Sequence, residues 1–121
     1  MKKRILVVEN NKDILDLISL VLEEADFNVV AYLNEKSIFD QIIDFQPDAI
    51  LLDIVKPSVE GTELCRQIKE AEGTSHIPVI VLSTHPQIQK VKEVCADEVV
   101  EKPFDIDGLL EVLTEQLKSA S

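Results

Sequence analysis

The chain has 121 residues, with 23 Asp and Glu against 12 Lys and Arg, for a formal net charge of −11. That length accommodates one domain with a substantial core and no second one. A surface this acidic argues against direct binding to nucleic acid or an anionic membrane, both of which reward clustered Lys and Arg.

Hydrophobic residues make up 45% of the chain and aromatics only 4%, with no Trp, a composition suited to Val/Ile/Leu strands covered by helices. Cys65 and Cys95 are too few for a disulfide framework and lack metal-ligand spacing. Cys65 falls in a helical pattern with Leu64 and Ile68, where a small core residue is expected. The start, MKKRILVVEN, is too short for a signal-peptide core, and no apolar run could span a bilayer. A reduced, cytoplasmic setting is the expectation.

In chain order, Ile5 to Val8 is a short β-branched apolar run, a buried strand. Over 11–25 the period changes, and Ile14, Leu17, Ile18, Val21, Leu22 and Ala25 share one helical face. Val29 to Leu33 reads as a second strand, followed by a helical stripe of Ile38, Phe39, Ile42 and Ile43 that ends near Pro47. Ala49 to Leu52 is a third strand, and Leu64, Cys65 and Ile68 mark a third helix. Ile77 to Leu82 is a fourth strand; Ile88, Val91 and Val94 predict a short helix after it. Val99 and Val100 form a weaker fifth strand, and Ile106, Leu109, Leu110, Leu113 and Leu117 give the clearest amphipathic helix. Repeated strand-then-helix units with nearly continuous apolar strands predict an α/β fold, a parallel sheet buried on both faces.

In such a sheet, chemistry gathers at the carboxyl ends of the strands. Glu9 and Asn10 follow strand one, Asp53 follows strand three, and Ser83 and Thr84 follow strand four. Glu101, Lys102 and Pro103 follow strand five. Singly, each has a plain explanation: an acid or Ser ending a strand is ordinarily a helix cap, and a Lys before Pro a surface residue. Their convergence on one rim is what points to a site.

These residues resemble the receiver domain of two-component response regulators. The resemblance rests on DIVKPSVEG (Asp53, Pro57, Gly61), LVVEN (Glu9), VIVLST (Ser83) and ADEVVEKPF (Lys102, Pro103), and it covers essentially all of 1–121. It implies a doubly wound, flavodoxin-like (βα)5 fold with five parallel strands in the order 2-1-3-4-5. It implies that Asp53 accepts a phosphoryl group from a histidine kinase or phosphotransfer protein, in a self-catalysed reaction. Mg²⁺ would be held by Glu9, Asn10, Asp53 and the backbone carbonyl of Val55, all hard oxygen donors. Lys102 would bind a phosphoryl oxygen, placed by a cis peptide to Pro103, while the Ser83 hydroxyl reports the modification. Thr84 and Val99 fall at switch positions. Pro57 and Gly61 would shape the loop after Asp53, Gly61 by supplying a φ closed to other residues. The partners implied are the phosphodonor and a downstream protein, with the domain a monomer or weak homodimer and no output domain attached.

Several positions depart from the family pattern. Asn10 stands where a second acid is usual, Val99 replaces an aromatic, Lys56 precedes Pro57 where Met is common, and Cys95 replaces a helix-closing Gly. The stretch from Ser83 to Lys102 is short, so a trimmed fourth helix is expected. Asn10 keeps an oxygen donor but no charge, which predicts weakened Mg²⁺ binding. The alternative reading is a pseudo-receiver, a binding module with little or no phosphorylation. Two other classes fail: an FMN-binding flavodoxin needs a hydroxyl- and glycine-rich loop where this chain has ENNKD, and a haloacid-dehalogenase phosphatase needs a nucleophilic Asp after strand one.

Overall fold

A computed structural model describes residues 2–119. Strand β1 (Arg4–Val8) leads to helix α1 (Lys12–Glu24), β2 (Asn28–Tyr32) to α2 (Ile38–Phe45), and β3 (Ala49–Asp53) to α3 (Glu63–Glu70). Strand β4 (Val79–Ser83) is followed by a 3₁₀ turn (Ile88–Lys90) and a short α4 (Val91–Val94), and β5 (Glu98–Glu101) by α5 (Ile106–Ser119). All strands pair in parallel, in the order β2-β1-β3-β4-β5. The expected fold is borne out, including the trimmed fourth helix, a single turn preceded by 3₁₀ geometry.

The sheet separates two apolar layers because successive side chains on a strand point to opposite faces. Ile5, Val7, Leu51, Ile80 and Leu82 pack with Leu15, Ile18 and Leu22 of α1 and Leu109 and Leu113 of α5. Leu6, Val8, Ile50, Leu52, Val79, Val81 and Val99 face Ile38 and Ile42 of α2, Leu64, Cys65 and Ile68 of α3, and Val91 of α4. Each fully buried Val, Leu or Ile contributes about 1.5–3 kcal/mol relative to exposure. Among the described residues, no helix is long and apolar enough to cross a membrane.

The helical faces differ from the sequence expectation in detail. In α1 the buried stripe is Leu15, Ile18 and Leu22, whereas Leu17 is largely exposed. Ile14, Leu17 and Val21 also recur at helical spacing, so α1 carries two overlapping apolar stripes, and contact with the sheet selects between them. Ile43, Val94 and Ile106 are likewise exposed at the margins of their helices.

The cysteine expectation needs correction. Cys65 is a buried core residue, but it is not a thiol standing alone: it forms a disulfide with Cys95, across 30 residues of sequence, with the Cα atoms 5.7 Å apart. The pairing depends on how α3 packs beside the end of α4, a tertiary relationship that cysteine spacing does not encode.

Candidate functional site

Strand β1 has β2 on one side and β3 on the other, so the chain's direction of growth across the sheet reverses there. The crevice at the carboxyl ends of β1 and β3 is the switch point where doubly wound sheets place their ligands. Glu9 leaves β1 into this crevice, its N–H donating to the Tyr32 carbonyl at 3.0 Å. Asp53 ends β3 opposite Leu82, and Ser83 lies opposite Glu101. The Lys102 N–H then donates to the Ser83 carbonyl at 2.8 Å, extending the β4–β5 pairing by one residue to deliver the lysine to the rim.

The side chains converge. Lys102 Nζ donates to Asp53 Oδ1 at 3.0 Å and forms an ion pair with Glu9 Oε1. The Glu9 side chain is fully buried, and those of Asp53 and Lys102 are 9% and 11% exposed. Glu9 Oε2 accepts the N–H of Asn11 at 3.2 Å, while Oε1 has no hydrogen-bond partner to add to the ammonium. Asn11 also caps α1, accepting the Ile14 N–H at 3.1 Å, so one turn fixes both the helix start and the acid. The Lys102–Pro103 peptide is cis.

Asn10, Asp53 and Val55 line one pocket of about 370 Å³ together with Val8, Leu33 and Gly61. Three of the four residues expected to hold a metal therefore line a common space, with buried Glu9 beside Asp53 across the Lys102 ammonium. The donor set is all oxygen and suits a hard cation, but it holds only two carboxylates, and among the described residues no cluster of three or more acidic, His or Cys ligands exists. Glu35 lines the same pocket. The side chain is exposed, and partial desolvation at the pocket wall still pushes its carboxyl above the usual range, with the Asp53 and Glu63 charges adding to the shift.

Ser83 is buried, and its Oγ accepts the His85 N–H at 3.1 Å, while Thr84 is exposed. Val99 pairs with Val81 and is buried against the layer containing Ile88 and Val91. Pro57 is half-buried in the loop after Asp53. Gly61 corrects the expectation made for it: none of the described glycines has a positive φ. Its role is close approach, since a Cβ there would overlap the Lys56 carbonyl oxygen.

Residues the sequence did not single out hold this loop. The Ser58 Oγ accepts the Gly61 N–H at 3.0 Å, and the Ser58 carbonyl accepts the Thr62 hydroxyl at 2.8 Å. Arg66 reaches back from α3, its Nη2 donating to the Val59 carbonyl at 2.6 Å. Asp97 Oδ2 accepts both Lys69 Nζ and the Val79 N–H at 2.8 Å, tying α3 to the starts of β4 and β5. Such Ser, Thr and Asp contacts to nearby backbone carry no periodic signal.

A doubly wound five-stranded sheet presenting an acid, a second acid and a lysine at its switch point defines the receiver class of signalling domain. Residues 5–114 match the response regulator receiver domain family, and the chain belongs to it. It is 34% identical over 110 residues to the DNA-binding dual master transcriptional regulator RpaA of Synechocystis sp., covering 88% of this chain and 46% of that protein. It is 36% identical over 105 residues to the phosphate regulon transcriptional regulatory protein PhoB of Pseudomonas aeruginosa, covering 84% and 46%. The chain thus spans about half the length of these curated relatives. A CheY-like response regulator receiver domain from Methanospirillum hungatei superposes with a TM-score of 0.87 at 25% identity, covering 99% and 97% of the two chains. The chemotaxis response regulator CheY4 of Vibrio cholerae, at 22% identity, shares the fold with a TM-score of 0.84.

Proposed function

We propose that this receiver domain takes a phosphoryl group on Asp53 from a histidine kinase or phosphotransfer protein and signals through contacts with a downstream protein. The observation that carries the reading is the Lys102 ammonium lying between Asp53 and Glu9, with none of the three side chains more than 11% exposed. Charge pairs are stronger there than on the surface, because the effective dielectric is lower.

An Asp53 oxygen attacks phosphorus in line with the departing imidazole nitrogen of the donor. The P–N bond breaks, and the electron pair leaves with the imidazole. Negative charge on the transferring oxygens needs fixed positive charge, and Lys102 supplies it, released from one carboxylate contact to meet a phosphoryl oxygen. Glu9, Asp53, the Asn10 amide oxygen and the Val55 carbonyl would hold Mg²⁺, which supplies further positive charge when bound. Ser83, one residue beyond the position opposite Asp53, would turn its hydroxyl from the His85 N–H toward the phosphoryl group, moving the loop before α4. The domain is read as acting without direct contact to nucleic acid or membrane, in keeping with its charge of −11.

One feature favours the pseudo-receiver reading instead: Asn10 leaves the crevice a carboxylate short. The two readings separate on beryllofluoride, an aspartyl-phosphate mimic, followed by ¹⁹F NMR in the presence of Mg²⁺. A bound resonance that vanishes in Asp53→Asn supports the phosphoacceptor. Its absence from the wild-type protein at millimolar Mg²⁺ supports the binding module.

A further inference from the structure

We infer that Cys65 and Cys95 form a reversible thiol–disulfide couple that controls the mobility of the segment between Ser83 and Cys95. Cys65 sits in the first turn of α3 with no exposed surface, and Cys95 is the residue that caps the end of α4, 8% exposed. Their bond closes a loop containing β4, Ser83, Thr84, the 3₁₀ turn and α4.

The two ends of this tether differ in firmness. Helix α3 is anchored by buried Leu64 and Ile68, and by Lys69, which donates to the Ile77 carbonyl at 3.0 Å and to Asp97 at 2.8 Å. Helix α4 is a single turn with Val91 buried and Val94 exposed. So short a helix has little stability of its own, and its opening is governed by whatever holds its ends. Asp97 is already fixed by Lys69; the disulfide carries that anchorage back to the residue that caps α4. Reduction leaves α4 held only by buried Ile88 and Val91 and by the exposed Lys92–Glu98 ion pair at 2.9 Å, and so loosens it, while the Lys69–Asp97 pair keeps the start of β5 in place.

The exchange balances with a low-molecular-weight disulfide as oxidant. The Cys95 thiolate, the more accessible of the two, attacks one sulfur of the reagent and expels one thiolate. The Cys65 thiolate then attacks the Cys95 sulfur and expels the second. The two cysteines lose two electrons and two protons, the reagent gains both as two free thiols, and a dithiol reductant reverses the sequence.

The consequence for signalling rests on the phosphoacceptor reading: the oxidised protein takes up the modification but transmits it poorly, since the segment meant to respond is tethered. The experiment equilibrates the intact protein with oxidised glutathione or with dithiothreitol. Alkylation and mass spectrometry count the thiols, and hydrogen exchange follows amides 86–95. The expected result is no alkylated thiol after oxidation and two after reduction. Exchange in that segment should be about tenfold slower in the oxidised form, and its melting temperature about 10 °C higher, as closing a loop of this length predicts. Cys95→Ser, substituted at the edge of the core, leaves one thiol and should show the reduced protein's exchange under both conditions. Two alkylated thiols after oxidation, or equal exchange in the two forms, overturns the couple. Beryllofluoride added to both forms should bind equally, with smaller amide shifts over 84–94 when oxidised. Equal shifts overturn the gating, and no binding in either form overturns the phosphoacceptor reading and the gating with it, leaving thiol count and exchange to decide the couple.

Discussion

Lys102 and Asp53, 49 residues apart in sequence, meet through a 3.0 Å hydrogen bond from ammonium to carboxylate at the carboxyl edge of the sheet. The same ammonium pairs with Glu9, whose side chain is fully buried. One cation thus keeps two acids together where they would otherwise repel in a low dielectric, so the resting geometry and the chemistry depend on one side chain.

Lys102→Ala should therefore do two things. Removing one partner of a buried ionic cluster leaves uncompensated charge, and a stability loss of about 3 kcal/mol is expected at neutral pH. Phosphorylation by acetyl phosphate should slow by about 100-fold, the scale on which a preorganised charge acts. Urea denaturation and stopped-flow phosphorylation check the two effects separately, and wild-type rates would reduce Lys102 to a structural role.

Gly61→Ala should disturb the loop after Asp53 even though the backbone there is ordinary. The new methyl group meets the Lys56 carbonyl, which is backbone and cannot swing aside. A cost of about 1–3 kcal/mol, typical of forced overpacking, is expected, along with amide shift changes over 54–62. Unchanged thermal stability and shifts would mean that the loop has room the structure does not show.

The fold was legible because the strands are continuous apolar runs and the reactive residues fall directly after them. Asp53, Glu9 and Lys102 could be placed on one rim from strand ends alone, since parallel strands share a common carboxyl edge. What was not legible depends on contacts between elements. The choice of Leu15 over Leu17 for the buried face of α1 is made by the sheet, not by period. The reason for Gly61 is a carbonyl five residues earlier, and the partner of Cys65 is set by the packing of α3 against α4. Ser58 and Arg66, which brace the loop, carry no periodic signal in the sequence.

Asn10→Asp should tighten Mg²⁺ binding. A unit negative charge about 4 Å from a divalent ion is worth roughly 8 kcal/mol at an effective dielectric near 20, and desolvation together with repulsion from Glu9 and Asp53 offsets most of it. A net gain of tenfold or more in affinity is expected, at about 1.4 kcal/mol per decade. A Mg²⁺ titration followed by amide shifts measures it, and equal affinities would place Asn10 outside the metal's coordination.

Glu35 gives a pH-dependent signature. Partial desolvation of this exposed residue, and then the charges of Asp53 and Glu63, raise its carboxyl above the ordinary value, so the folded state holds its proton more tightly than the unfolded state does. The ionised form thus costs stability at neutral pH, and the cost disappears as pH falls through the raised value. Glu35→Gln should melt higher than wild type at pH 7, with the difference vanishing in acid. Thermal melts of both proteins across this range are the check; a difference that grows on acidification would have the wrong sign.

The most direct measurement of the central claim is the intact mass of wild-type and Asp53→Asn proteins after incubation with acetyl phosphate and Mg²⁺. The asparagine keeps the size and shape of the side chain but has no nucleophilic carboxylate. If Asp53 is the phosphoacceptor, the wild-type chain gains one phosphoryl group and the variant none, with both proteins folded by circular dichroism. An unmodified wild-type chain, or equal modification of the variant, would contradict it.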